Sequence, residues 1–169
     1  GGAELLMEWT NIDYSSSDFL ITELNGSFIF ILTRLPSKDD EIWISDGTVA
    51  GTHMVTVSES NLPKRKKFYN YNGKVYFSAP SGLIDRELWV TDGTESGTFI
   101  LKKINLSGSS YPDNFTEHNG MLFFTATDGV NGYELWKTDG TEENTTLVTD
   151  LNPEGTTFFK ELKSFDNYL

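Results

Sequence analysis

The chain has 169 residues, enough for a domain with a real core, and its net charge of −12 sets an average surface field against nucleic-acid phosphates. Apolar residues make up 37% with no run near the ~18 that a membrane-spanning helix needs, so no membrane insertion is expected. The absence of cysteine excludes a disulfide scaffold and thiolate zinc sites.

Residues 1–10, "GGAELLMEWT", lack the basic start and long apolar core of a signal peptide, and "ELLMEWT" reads as an isolated strand. From residue 18 the chain writes one unit three times. Glu41, Glu87 and Glu134 fall 46 and 47 residues apart, and Asn25-Gly26, Asn72-Gly73 and Asn119-Gly120 each fall 47 apart. A further 47 residues lands on Asp166-Asn167. Two independent landmarks with one period define a repeat.

Each unit predicts four strands. Innermost strands are expected near 18–24, 66–72 and 113–118, and second strands near 27–33, 74–79 and 121–126. Third strands fall near 40–45, 86–91 and 133–138, and outer strands near 52–58, 98–104 and 145–150. Asn-Gly between apolar runs is a strong hairpin signal, because both central residues need positive φ. The second turn, "DGTxxGT", carries Gly twice, and Asn144 stands where the other copies have Gly51 and Gly97. Asn tolerates a left-handed backbone best among non-Gly residues, so that position is expected to be left-handed. "SFIFIL", "KVYFSA" and "MLFFTA" are apolar on both faces, as in strands covered on two sides.

The fold class that follows is all-β: a β-propeller-like array of four-stranded antiparallel blades with a period of about 47 residues. It comprises a partial blade at 1–10, blades at 18–58, 66–104 and 113–150, and a partial blade at 158–169 with one inner strand near 158–165. Three blades do not close a propeller and leave strand edges open. Completion by further repeats of a longer protein, or by other copies sharing their orphan strands, is therefore expected.

"EIWISDGTVAGT" (Glu41–Thr52), "ELWVTDGTESGT" (Glu87–Thr98) and "ELWKTDGTEENT" (Glu134–Thr145) resemble the ELWxxDGT repeat family. Ile42 and Asn144 are mild departures from it. The resemblance implies a propeller-like architecture in large secreted or cell-surface proteins, chiefly bacterial, and an extracellular or cell-surface location. It implies no catalytic activity. The turn also faintly resembles the Asp-box of sialidase-type propellers, with different spacing.

The repeated residues admit two readings each. Trp43, Trp89 and Trp136 could stack on sugars, but a Trp in every blade suits inter-blade packing, burying on the order of 200 Å2. Asp46, Asp92 and Asp139 could hold Ca2+, but one carboxylate per turn is few, and an Asx-type turn shared with Gly47, Gly93, Gly140, Thr48, Thr94 and Thr141 is expected. Glu41, Glu87 and Glu134 recur once per blade and do not form a shared acid/base pair. No cofactor is expected. "PKRKK" (63–67) is a lone basic cluster, read as a solvated loop or a contact for an acidic partner. His53 and His118 lack a partner at ligand spacing, and Arg34, Arg65 and Arg86 fall in unlike parts of their units. Asn105, Asn114 and Asn144 head N-glycosylation sequons and are read as loop positions; Asn25 heads another but sits in a tight hairpin.

A non-catalytic extracellular structural, adhesion or protein-interaction scaffold is the expected function. A carbohydrate-binding propeller, like the tachylectin type that binds one amino sugar per blade, is the alternative, and a sialidase- or glycosidase-type enzyme the next.

Overall fold

A computed structural model describes residues 8, 21–33, 40–58, 68–80, 85–151, 159–166, 168 and 169. The predicted strand at 4–10 apart from Glu8, which is in no strand, and Trp9, "PKRKK", Arg34 and Arg65 lie outside the described residues.

Twelve strands are present among them: β1 Ile21–Leu24, β2 Ser27–Thr33, β3 Asp40–Ser45, β4 His53–Ser58, β5 Tyr69–Tyr71, β6 Lys74–Pro80, β7 Arg86–Thr91, β8 Phe99–Lys102, β9 Asp113–His118, β10 Met121–Thr127, β11 Tyr133–Thr138 and β12 Thr146–Thr149. They form three four-stranded meanders, β1-β2-β3-β4, β5-β6-β7-β8 and β9-β10-β11-β12, with every pair antiparallel. The chain is thus an all-β, propeller-like array of three blades, and no helix occurs among the described residues.

The hairpins follow from backbone chirality. Asn25, Asn72 and Asn119 have φ of 52°, 49° and 49°, and the glycines after them have 82°, 68° and 71°. Both central residues are left-handed, which matches the twist of the flanking strands. Asp166 repeats this at 50°, one period on. There the backbones of Phe165 and Tyr168 exchange hydrogen bonds of 2.9 Å in both directions, so a fourth hairpin begins.

Packing explains why β2, β6 and β10 do not alternate apolar with polar. Ile29, Ile31 and Ile42 of the first blade meet Val75, Phe77 and Ala79 of the second. Tyr76, Leu88 and Val90 on the opposite face of the second blade meet Leu122, Phe124 and Ala126 of the third. Each junction pairs the same two faces, so both sides of β6 are dry. Side chains as fully buried as Leu88, Val90, Leu122 and Phe124 each stabilise the fold by about 1.5–3 kcal/mol relative to exposure.

Inner strands also bond at one-period spacing. Thr22 donates to Asn70 Oδ1 (3.1 Å), Asn70 to the Glu23 carbonyl, Glu117 N to Tyr69 OH (2.9 Å) and Tyr71 OH to the Gly120 carbonyl (2.6 Å). Residues 159–166 continue the series without forming the strand predicted at 158–165. Thr116 Oγ1 donates to the Leu162 carbonyl (3.1 Å), and His118 Nδ1 pairs with Ser164 Oγ (2.8 Å). Among the described residues, side chains and no backbone ladder hold this segment in the inner-strand position, because strands of neighbouring blades meet through their faces and not their edges.

Candidate functional site

The repeated phrase forms a self-bonded turn. Asp46 Oδ1 accepts from Thr48 N (2.9 Å) and Thr48 Oγ1 (2.7 Å). Asp92 with Thr94, and Asp139 with Thr141, repeat both distances. These bonds, the threonine hydroxyl's first, hold all three carboxyls below the usual aspartate range. The same hydroxyl accepts the amide of Gly51 (2.9 Å), Gly97 (2.9 Å) or Asn144 (3.2 Å).

A second hydroxyl pair closes the turn, and sequence reasoning missed it. Ser45–Thr52, Thr91–Thr98 and Thr138–Thr145 lie 2.7, 2.6 and 2.8 Å apart. The first member of each pair also accepts the amide of Gly47 (3.1 Å), Gly93 (3.0 Å) or Gly140 (2.9 Å). The signal was available: a hydroxyl residue precedes Asp, and another ends the phrase, in all three copies.

The glycines correct one expectation. Gly47, Gly93 and Gly140 are left-handed, with φ of 88°, 91° and 98°. Gly51, Gly97 and Asn144 are not among the positive-φ residues. Gly is present there for space: a Cβ would lie 2.1 Å from Asp46 Oδ1 at position 51 and 1.9 Å from Asp92 Oδ1 at position 97. In the third copy Asn144 brings its own compensation, as its Nδ2 donates to Asp139 Oδ2 at 2.7 Å.

The glutamates reach forward to the chain leaving the blade. Glu87 is fully buried, and its Oε2 accepts from Ile104 N (2.8 Å) and Ser110 Oγ (2.6 Å). Glu134 Oε2 likewise accepts from Leu151 N (2.8 Å), again 17 residues on. Burial pushes the Glu87 carboxyl above the usual glutamate range, against those hydrogen bonds. In the first copy Glu41 Oε2 accepts from Trp43 Nε1 at 2.9 Å.

Trp89 and Trp136 lie on the face of their blades that meets the preceding one, and Trp43 holds the same register in the first blade. Trp89 stacks on Phe77 with ring centroids 6.3 Å apart, and Trp136 joins the core between the second and third blades. Trp43 packs on Phe30 and Leu32. Trp136 Nε1 donates to the Ala126 carbonyl (3.2 Å), whereas the buried atoms Trp89 Nε1 and Glu87 Oε1 have no hydrogen-bond partner among the described residues.

Of the sequons read as loop positions, Asn105 lies in a loop but buried, and Asn114 lies in a strand. Asn105 is 7% exposed, with Nδ2 donating to the Ser109 carbonyl and Oδ1 accepting from Ser107 N, both at 3.0 Å. Asn114 lies within β9, half-buried, where the ladder to β10 slips register. Asn144 is exposed in its turn.

For a cation, each turn offers one carboxylate whose Oδ1 already accepts two hydrogen bonds. Among the described residues no three His, Asp or Glu side chains gather to hold a metal. An open cleft of about 220 Å3 lies at the inner rim, lined by residues including Glu23, Asn70, Asn72, Lys74 and Glu117 from all three blades.

No protein-family model matches the chain, and no curated protein matches it. Among solved structures it is similar to one named "putative exo-beta-1,3-galactanase from Bifidobacterium bifidum s17", at 9% sequence identity and a TM-score of 0.41. The match covers 84% of this chain and 55% of that one, so the chain spans about half the length of that protein.

Proposed function

We propose that the chain is a non-catalytic structural scaffold of stacked propeller blades, working in an extracellular or cell-surface setting and joining protein neighbours through further blades. One observation carries the reading. In every copy the repeated Asp, Thr and Gly groups, and in two copies the Glu, are bonded to the chain's own backbone or turn. Such groups fix blade geometry, and a scaffold is what a thrice-repeated, self-bonded turn serves. The extracellular setting rests on the resemblance of residues 41–52, 87–98 and 134–145 to ELWxxDGT repeats.

A carbohydrate-binding role is the second reading, favoured by the polar inner-rim cleft with Asn70, Asn72, Lys74 and two carboxylates. Calorimetric titration with simple and amino sugars to about millimolar concentration separates the two. A scaffold gives no heat of binding. Saturable binding abolished by Asn72→Ala, with the fold intact, would replace the scaffold by a lectin.

A further inference from the structure

Glu87 Oε1 and Trp89 Nε1 are the two buried side-chain atoms without a hydrogen-bond partner among the described residues. One is an acceptor and the other a donor, and the two residues stand two apart on one face of β7. The first blade shows the bond such a pair makes, with Trp43 Nε1 donating to Glu41 Oε2 at 2.9 Å. The backbones do not account for the difference. Glu41 and Trp43 pair with Leu32 and Phe30 of β2, and Glu87 and Trp89 pair with Ala79 and Phe77 of β6, one period on. Both third strands also slip register just before the Trp. Trp136 takes the carbonyl of Ala126, which lies opposite Glu134, but Trp89 does not take that of the matching Ala79.

The position of one proton does account for it. Glu87 is fully buried, and the cations on and around its strand are engaged elsewhere. Lys103 pairs with Asp85 (3.6 Å), Lys102 of β8 donates to the Glu142 carbonyl (3.1 Å) and Arg86 donates to the Ser78 carbonyl (3.4 Å). Residues 104–112 and β10 carry no charged side chain, and β6 carries Lys74 at its far end. Of the first blade's strands toward that face, β3 carries Asp40 and Glu41, and β4 carries His53. A carboxyl so buried favours its neutral form, and burial pushes Glu87 above the usual glutamate range. In the neutral acid Oε2 stays the acceptor of the fixed Ile104 N–H, so the proton stands on Oε1. An O–H there is a poor acceptor for the indole N–H, whereas an ionised Oε1 is a good one. Oε2 bonded, with Oε1 and Nε1 apart, is the arrangement of the acid form.

We propose that Glu87 and Trp89 form a pH-sensitive switch, in which the indole stands apart from the neutral acid and donates to Oε1 once the carboxyl ionises. The second blade then gains the Glu–Trp bond that the first blade already has. Oε2 holds Ile104 N and Ser110 Oγ in both states. Trp89 stacks on Phe77 at the junction with the first blade, and Ser110 accepts the amide of Thr127 in the third. As pH rises, one carboxylate therefore ties the packing of one junction to the linker that serves the next.

Two-dimensional NMR of the indole N–H groups tests it, with Trp89→Phe assigning the resonance. Followed from about pH 4 to about pH 9, the Trp89 indole proton is expected to move downfield along a single titration curve. In Glu87→Gln it is expected to keep its acid position at every pH, because the amide presents N–H where the neutral acid presents O–H. The side-chain carboxyl carbon of Glu87 in the wild-type chain is expected to titrate with the same midpoint as the indole, a comparison that needs no variant should Glu87→Gln not fold. A Trp89 indole resonance that does not move, one that moves equally in Glu87→Gln, or one whose midpoint differs from that of the carboxyl carbon would overturn the switch.

Discussion

Replacing Gly97 by Ala tests the turn most sharply, because steric and conformational accounts of that glycine diverge. The new Cβ would lie 1.9 Å from Asp92 Oδ1, so the carboxylate must shift and strain its bonds to Thr94 N and Thr94 Oγ1. Two hydrogen bonds to a carboxylate are strained, but Asp92 is exposed and water compensates part of the loss, leaving a cost of up to about 1–2 kcal/mol. In a chain of 169 residues each kcal/mol lowers Tm by about 2–4 °C. Gly97→Asn is expected to cost less, since the amide recaptures the carboxylate as Asn144 does in the third copy. The decisive assay is a double-mutant cycle with Asp92→Ala, read by thermal and urea unfolding. Once the carboxylate is gone, the methyl group added at position 97 no longer collides with it, so the coupling energy should equal the whole Gly97→Ala cost. Additivity within about 0.5 kcal/mol would refute the steric account and point to a backbone requirement.

Trp136→Phe is expected to cost about 1 kcal/mol more than Trp89→Phe, because Trp136 Nε1 loses a carbonyl partner and Trp89 Nε1 has none to lose; equal unfolding midpoints would contradict this. Glu87 has a raised carboxyl pKa in the folded state, so its contribution is fully present below the ordinary glutamate value and is lost as pH rises through the raised one. Glu87→Gln should therefore gain in Tm relative to wild type as pH rises from the ordinary glutamate value through the raised one, and a difference independent of pH would contradict the assignment. The three turn aspartates act with the opposite sign, losing their contribution as pH falls, and Glu87→Gln leaves that acid limb in place. In a glycosylating secretory host, mass spectrometry of the peptides should find sugar on exposed Asn144 and none on buried Asn105; modified Asn105 in a folded chain would contradict its burial.

The strand order was legible because turn chemistry and two-faced burial both leave local marks. Asn-Gly at 25, 72 and 119 fixed three hairpins, and Asp166 extended them to a fourth. The Asp–Thr bond was legible for the same reason: both partners lie within three residues of each other. What failed to show was contact at a distance. Nothing local says that Glu87 reaches Ile104, 17 residues on, or that Tyr71 meets Gly120 across a blade junction. Gly97 misled because a glycine needed for space and one needed for positive φ are written with the same letter. The buried state of Asn105 was equally hidden, since its sequon looks like any solvated loop until the Ser107–Ser109 backbone folds over it.

The central claim is that the repeated polar residues hold this chain's own backbone. Residue-resolved amide exchange at Ile104 and Leu151 tests it most directly, because both amides lie outside the strand ladders and their partners are the carboxylates of Glu87 and Glu134. The account predicts exchange as slow as in the adjoining strands at both positions, with Glu87→Ala releasing Ile104 alone. Fast exchange at both in the wild-type chain, matching neighbouring loop amides, would contradict it.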